Sequence, residues 1–246
     1  MENIDYSWDE KDPKIDGADK IEVTPTISNE QEDNPDDILS TRHNLQLMRR
    51  LFHLLNGGSI ATLYLISFSH SQMVHLLGTI ACALYVVEQV RVAYPEIAAK
   101  LLPFTRFIMR AEEQLKESAM VPYAMAVLLT IVAFPKHIAL VGIYSLAIAD
   151  PLSAIVGIKW GRHKISPTRS LEGGLAFFIS VFLVTLIILT GYNGKFDFTV
   201  LFVSFFMGLA GALFDLIPLK LDDNMTIPLF VSAMLWLVCS LFGIYI

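Results

Sequence analysis

The sequence is poor in cysteine, holds few carboxylates outside its first segment, and lacks the common phosphate-binding loop. Its two cysteines, Cys82 and Cys239, stand in apolar stretches with no CxxC or Cys/His spacing around them. The spacing argues against zinc and the depth against a disulfide, so both are read as buried packing residues. No G-x-x-x-x-G-K-[ST] loop and no protein-kinase signature set occurs, which disfavours a P-loop enzyme and a protein kinase. The first apolar stretch begins near Leu51, behind an acidic leader without a basic start or a small-residue cleavage site, so no cleavable signal is expected.

What the sequence has in excess is apolar surface. Over 246 residues the hydrophobic share is 54% and the mean hydropathy +0.54, too apolar for a soluble domain of ordinary composition. Charge is unevenly spread. Residues 1–41 hold 13 of the 24 acids and three lysines, a net −10, while the rest holds 15 Lys+Arg against 11 acids, a net +4. The acidic segment lacks hydrophobic periodicity and buries too little apolar surface to offset its ordering entropy. The expected organisation is a disordered acidic tail over 1–41 and a membrane domain over 42–246.

A membrane span needs roughly 20 predominantly apolar residues. Seven segments approach that, near 51–69, 73–90, 119–134, 137–157, 172–191, 198–217 and 225–246. The predicted fold class is therefore all-α, a polytopic helical bundle of about seven spans. Residues 97–116 interleave apolar positions with Lys100, Arg106, Arg110 and Lys116, a pattern suited to a helix lying along the interface. Lys and Arg fall 13 on the N-terminal side of the spans and two, Lys136 and Lys195, on the other. That bias predicts a cytoplasmic N-terminus and an external C-terminus.

Acids within bilayer helices are costly and usually face a polar interior. Glu88, Asp150, Glu172 and Asp215, with Asp222 and Asp223 in a short loop, all fall at predicted cytoplasmic helix ends; Asp197 is the one acid assigned to the outer side. The densest passage runs from Ile148 to Gly174. An apolar helix carries Asp150 and Pro151, gives way to a loop with Lys159, Arg162, His163, Lys164 and Arg169, then re-enters through Ser170, Glu172, Gly173 and Gly174. Such cations, with freed N–H groups at the start of the next helix, suit polyphosphate oxygens. Asp150 and Glu172 suit the magnesium that a phosphate brings. The plainer readings stand beside these: the cations as a topology signal, the glycines as close-packing positions, and Asp150 as a buried hydrogen-bonding residue.

This passage resembles the dolichol kinase, phytol kinase and fungal-type diacylglycerol kinase family, whose members use CTP as phosphoryl donor. The similarity lies in Ala149-Asp150, in Gly157 to Arg162, in Arg169-Ser170-Leu171-Glu172-Gly173, and in Asp222-Asp223-Asn224-Met225-Thr226-Ile227-Pro228. Shorter echoes are Arg49-Arg50-Leu51-Phe52-His53, Glu88 to Arg91, and Arg110 to Glu113. Ala149 stands where glycine is common, and the acidic tail has no counterpart. The resemblance, from about residue 46 to 230, implies a Mg²⁺-dependent, CTP-consuming lipid kinase. Its nucleotide would lie on Lys159, Arg162, His163, Lys164, Arg169, Ser170, Gly173 and Asn224. The metal would lie on some of Asp150, Glu172, Asp222 and Asp223, with Asp150 and Glu172 as catalytic carboxylates. Asp150 is read equally as base or metal ligand, and Asn224 equally as the N-cap of the last span. Arg49 and Arg50 are read as topological anchors.

The partners expected on this reading are a lipid alcohol, CTP and the bilayer, with no nucleic acid. The expected location is a bacterial inner membrane or the endoplasmic reticulum, with the active site facing the cytoplasm. Two rivals remain. A phosphatidate cytidylyltransferase-like enzyme would carry a Lys-Asp-x-Gly segment and an Asp-Arg-x-Asp-Ser stretch, both missing here. A transporter of an anionic solute would place broken helices near the midplane.

Overall fold

The computed structural model describes residues 50–51, 54–94, 120–166, 169–217 and 222–244. The acidic segment, the expected interface helix, Arg49, His53 and the Arg110–Glu113 echo lie outside the described residues. The described residues form seven helices and no strand; the one bridge is an isolated antiparallel pair, Lys164 with Ser170. The helices are α1 (Leu54–Ile66), α2 (His70–Ala93), α3 (Met120–Ala133), α4 (Lys136–Lys159), α5 (Leu171–Asn193), α6 (Phe198–Leu216) and α7 (Asp223–Phe242). All but α1 and α3 are long and apolar enough to cross a membrane. At 14 residues, α3 extends about 21 Å at the helical rise. The all-α, multi-span architecture expected from the sequence is the one observed.

Local chemistry sets the boundaries. Ser69 caps α2 by accepting the Gln72 N–H while the Gln72 side chain accepts the Ser69 N–H, a reciprocal capping box. Asp197 accepts the Val200 N–H at 2.9 Å to open α6. Gly194 and Gly243 end α5 and α7 at φ of 68° and 65°, the left-handed conformation that glycine adopts without a Cβ penalty.

α4 is the central helix. It packs on α3, α5 and α7, while α6 packs on α5 and α7. Helices α4 to α7 thus form a ring with α4 and α6 at opposite corners. Ile138, Leu140, Ile143 and Leu146 of α4 are fully buried. α4 is not a uniform α-helix: Ser145–Ala149 form a π turn, and the Asp150 N–H bonds to the Ser145 carbonyl. The next residue is Pro151, which has no N–H and crowds the carbonyl four residues back. The wider turn lies where that conflict would fall.

Close approach depends on small residues. A Cβ at Gly142 would run into Ser232 Oγ and lie 2.6 Å from the Pro228 carbonyl oxygen of α7. One at Gly208 would lie 2.9 Å from the Phe178 carbonyl oxygen of α5. At the far end of the bundle, Lys136 Nζ donates to the Phe68 carbonyl at 2.9 Å and His137 stacks on Tyr192 at 3.9 Å, joining three helix ends. Because the Gly142 neighbour is backbone, Gly142→Val forces α4 and α7 apart. Overpacking of this kind costs about 1–3 kcal/mol, so the melting temperature in detergent falls by several degrees, whereas Gly191→Ala, which meets open space, leaves it unchanged.

Candidate active site

Four aspartates and two arginines gather where α4, α6 and α7 meet the loop before α5. Arg169, just upstream of α5, divides its guanidinium between two helices: Nη1 donates to Asp215 Oδ1 at 2.6 Å and Nη2 to Asp223 Oδ2 at 2.8 Å. The Asp215 side chain is 2% exposed, that of Asp223 47%. Asp150 of α4 feels the charges of Asp223, Arg169, Arg50 and Asp222. No side-chain hydrogen bond to its carboxylate is found among the described residues. Asp222 is committed differently, as the N-cap of α7, with Oδ1 accepting the Asn224 N–H at 3.0 Å. The cap expected at Asn224 is thus made one position pair earlier, by Asp222.

Asp150 is not at a helix end as expected. It lies nine residues before the end of α4, which runs on past the cluster. That length is what brings Asp150 level with residues whose own helices begin or end nearby.

Arg50, read from sequence as a topological anchor, belongs to the cluster. Its charge acts on Asp150 and opposes Arg169, and its Nη1 is buried without a hydrogen-bond partner. Burial lowers its pKa from the ordinary guanidinium value; Asp150 offsets part of that and Arg169 adds to it. A guanidinium does not lose its proton in proteins, so the site keeps an unpaired donor. Asp215 was visible as an intramembrane acid but not as the partner of Arg169, because 46 residues separate them.

Several of the loop and re-entry residues expected to hold phosphate meet partners within the fold. Ser170 caps α5, its Oγ accepting the Gly173 N–H at 3.1 Å, and the Leu171 N–H goes to the His163 carbonyl at 2.9 Å. Two N–H groups at the start of α5 are therefore bonded within the chain. Gly173 serves packing, since a Cβ there would lie 2.7 Å from the Ser153 carbonyl oxygen of α4. Lys164 Nζ donates to the Gly157 carbonyl at 3.1 Å, and Lys159 Nζ lies 4.8 Å from the centre of the Trp160 ring. Arg162 is exposed. Glu172 turns toward the loop, accepting from His163 Nδ1 at 2.8 Å and from the His163 N–H at 3.2 Å; it is not among the charges acting on Asp150.

Among the described residues no three His, Cys, Asp or Glu side chains converge to hold a metal unaided. The donor set still fits magnesium. Carboxylate oxygens are the hard ligands it prefers, and one or two suffice when phosphate and water supply the rest. Asp150 and the second oxygen of Asp223 are open to that role, whereas Glu172 is held by His163.

The Glu88–Arg91 echo forms a buried ion pair on α2, with Arg91 Nη2 at 2.7 Å from Glu88 Oε1 and Arg91 Nε at 3.0 Å from Oε2. The chain is thus an integral membrane protein of helical-bundle type with an acid and arginine cluster toward one end of its central helices.

The chain is similar in sequence to membrane lipid kinases. A phytol kinase of Synechocystis sp. is 35% identical over 101 residues, 40% of this chain and 43% of that protein. A dolichol kinase of Schizosaccharomyces pombe is 34% identical over 93 residues, 37% of this chain and 18% of that protein. A CTP-dependent diacylglycerol kinase of the same yeast is 28% identical over 143 residues, 53% of this chain and 65% of that protein. The chain spans less than two thirds of the length of each. No family model matches it, and no solved structure matches it. The resemblance to the CTP-dependent lipid kinase family rests on homologues as well as on motifs: the chain is a membrane protein homologous to phytol, dolichol and diacylglycerol kinases.

Removing Arg169 strands the Asp215 carboxylate in a buried position, and breaking one side of such a pair costs about 3–5 kcal/mol. Arg169→Ala is therefore expected to lower the melting temperature in detergent more than Lys164→Ala does. Adding Asp215→Leu to Arg169→Ala recovers part of the loss. Strict additivity of the two changes would show that the pair contributes nothing.

Proposed function

We propose that the chain is a Mg²⁺-dependent membrane lipid kinase that transfers the γ-phosphate of CTP to the hydroxyl of a lipid alcohol, of the diacylglycerol, polyprenol or phytol class. The observation that carries this reading is Asp150, the one carboxylate of the cluster that, among the described residues, is held by neither a hydrogen bond nor a cap. Placing an acid inside a bilayer helix costs about 2.5–3.5 kcal/mol on insertion scales. Asp215, Asp222, Asp223 and Glu172 all meet partners within the fold; Asp150 meets none among the described residues and is open to a ligand.

On this reading the nucleotide approaches from the cytoplasmic side over the loop from Lys159 to Arg169, and the lipid hydroxyl arrives from the bilayer at the level of Asp150. Asp150 orients that hydroxyl and accepts its proton as the oxygen attacks the γ-phosphorus. The bond from phosphorus to the β-phosphate oxygen breaks, releasing CDP and the phosphorylated lipid. Phosphoryl transfer of this kind is catalysed mainly by positioning and charge neutralisation. Arg50, with its unpaired Nη1, meets a phosphate oxygen. Arg169 holds Asp223 through one carboxylate oxygen, and the charge of Asp223 acts on Asp150. Magnesium bound with the nucleotide would be held by Asp223 and Asp150 and would neutralise phosphate charge. The relative named as CTP-dependent supports CTP as the donor, and the 13 to 2 distribution of Lys and Arg supports a cytoplasmic site.

The test is phosphorylation of a lipid panel by purified protein with radiolabelled CTP or ATP and Mg²⁺, beside Asp150→Asn. Labelled lipid is expected from CTP, falling about 10²–10⁴-fold in the variant, the usual contribution of a general base. Transfer from neither nucleotide to any lipid, in protein that melts cooperatively, would sink the kinase reading and favour transport. Release of pyrophosphate with a cytidylylated lipid would favour nucleotidyl transfer.

A further inference from the structure

His163 is held more firmly than an exposed loop residue needs for stability. Its carbonyl accepts the Leu171 N–H at 2.9 Å, its own N–H lies 3.2 and 3.3 Å from the two Glu172 carboxylate oxygens, and its Nδ1 lies 2.8 Å from Glu172 Oε1. Yet its side chain is 77% exposed, and surface pairs contribute little to stability. What the contacts do fix is direction. An ionised carboxylate only accepts hydrogen bonds, so Nδ1 carries the proton in this pair and Nε2 becomes the edge presented outward. Orientation of one ring nitrogen by a carboxylate on the other is how histidines are aimed at ligands.

Of the other cations of the loop, Arg162 is exposed and three are differently occupied. Lys164 is turned onto the Gly157 carbonyl, Lys159 onto the Trp160 ring, and Arg169 onto Asp215 and Asp223. Gly161 and Gly157 support the same geometry from beneath, because a Cβ at Gly161 would meet the Gly157 carbonyl oxygen and Ser170 Oγ. The hairpin that carries His163 is thereby pressed against the ends of α4 and α5.

We infer that Glu172 is a positioning residue for His163, and that His163 Nε2–H donates to a phosphate oxygen of the nucleotide. The inference rests on the kinase reading for the identity of the ligand and on the structure for the pair. It gives Glu172 a task separate from catalysis and metal binding. As imidazolium, His163 donates through both edges, to Glu172 and to the phosphate; no bond is made or broken at either residue.

A double-mutant cycle separates these roles. His163→Ala and Glu172→Ala are each expected to raise the nucleotide KM about tenfold, the usual effect of losing a hydrogen bond to a charged group, with lipid KM unchanged. The double variant is expected to be no worse than His163→Ala. Glu172→Gln, which keeps an acceptor oxygen for Nδ1–H, recovers most of the affinity. Losses that multiply in the double variant, or a Glu172→Ala effect confined to the Mg²⁺ dependence, would overturn the assignment.

A second arm needs no turnover. In protein labelled with ¹³C-histidine, the resonance absent from His163→Ala reports the His163 tautomer. The neutral ring is expected to carry its proton on Nδ1 in the native chain and in Glu172→Gln, and to change in Glu172→Ala. An unchanged tautomer would refute the positioning role even in an active kinase. An inactive chain that shows the change would keep the positioning role and refute the phosphate donor.

Discussion

The site depends on one guanidinium placed between two carboxylates on different helices. Arg169 reaches Asp215 near the end of α6 and Asp223 at the start of α7, while its own backbone belongs to the hairpin that leads into α5. Burying Asp215 without that partner would leave a charge where water cannot solvate it. Burying Arg169 without both would do the same with opposite sign. The constraint is mutual, and it fixes the spacing of three chain segments at once. Asp150 and Arg50 are then placed against a frame of one guanidinium and two carboxylates, and their own charges act on one another and on that frame.

Much of the fold could be read directly. Seven apolar segments of near-spanning length became seven helices, and the third, the shortest, forms over Met120–Ala133. Length and hydropathy suffice there because a bilayer leaves the backbone few alternatives to an uninterrupted helix. The acids of the cluster were also legible, since a carboxylate in an apolar run stands out against its surroundings. Their division of labour was not. Glu172 and Asp150 look alike in sequence, yet one is held by a histidine nine positions away and the other accepts no side-chain hydrogen bond among the described residues. Arg50 resembles a topology anchor because its neighbours do; only the folded chain shows its Nη1 enclosed without a partner. Ser170 and Gly173 illustrate a different limit. Both occur where phosphate ligands were expected, and both are occupied by helix capping and close packing, which use the same small and hydroxylated residue types.

The glycines explain why the hairpin can reach the bundle at all. Gly157, Gly161 and Gly173 bring the end of α4, the loop and the first turn of α5 within contact of Ser170. A side chain at Gly161 or Gly173 would run into backbone, of Gly157 and of Ser153, and press the hairpin away from the helices. Packing and electrostatics at this end of the molecule are therefore one problem, solved by residues that individually contribute no chemistry.

The π turn at Ser145–Ala149 has a consequence for how such a helix can come into being. Each residue of an α-helix advances about 100° around the axis, so one extra residue absorbed in a wider turn rotates everything after it by that angle relative to everything before. The buried half of α4 from Ile138 to Leu146 and the half that carries Asp150 are thus two helical faces joined out of phase. Taking one residue out of this turn would restore a regular helix and swing the carboxylate away from Arg50 and Asp223. A wider turn of this kind redirects the residues that follow it while the helix packed before it keeps its place.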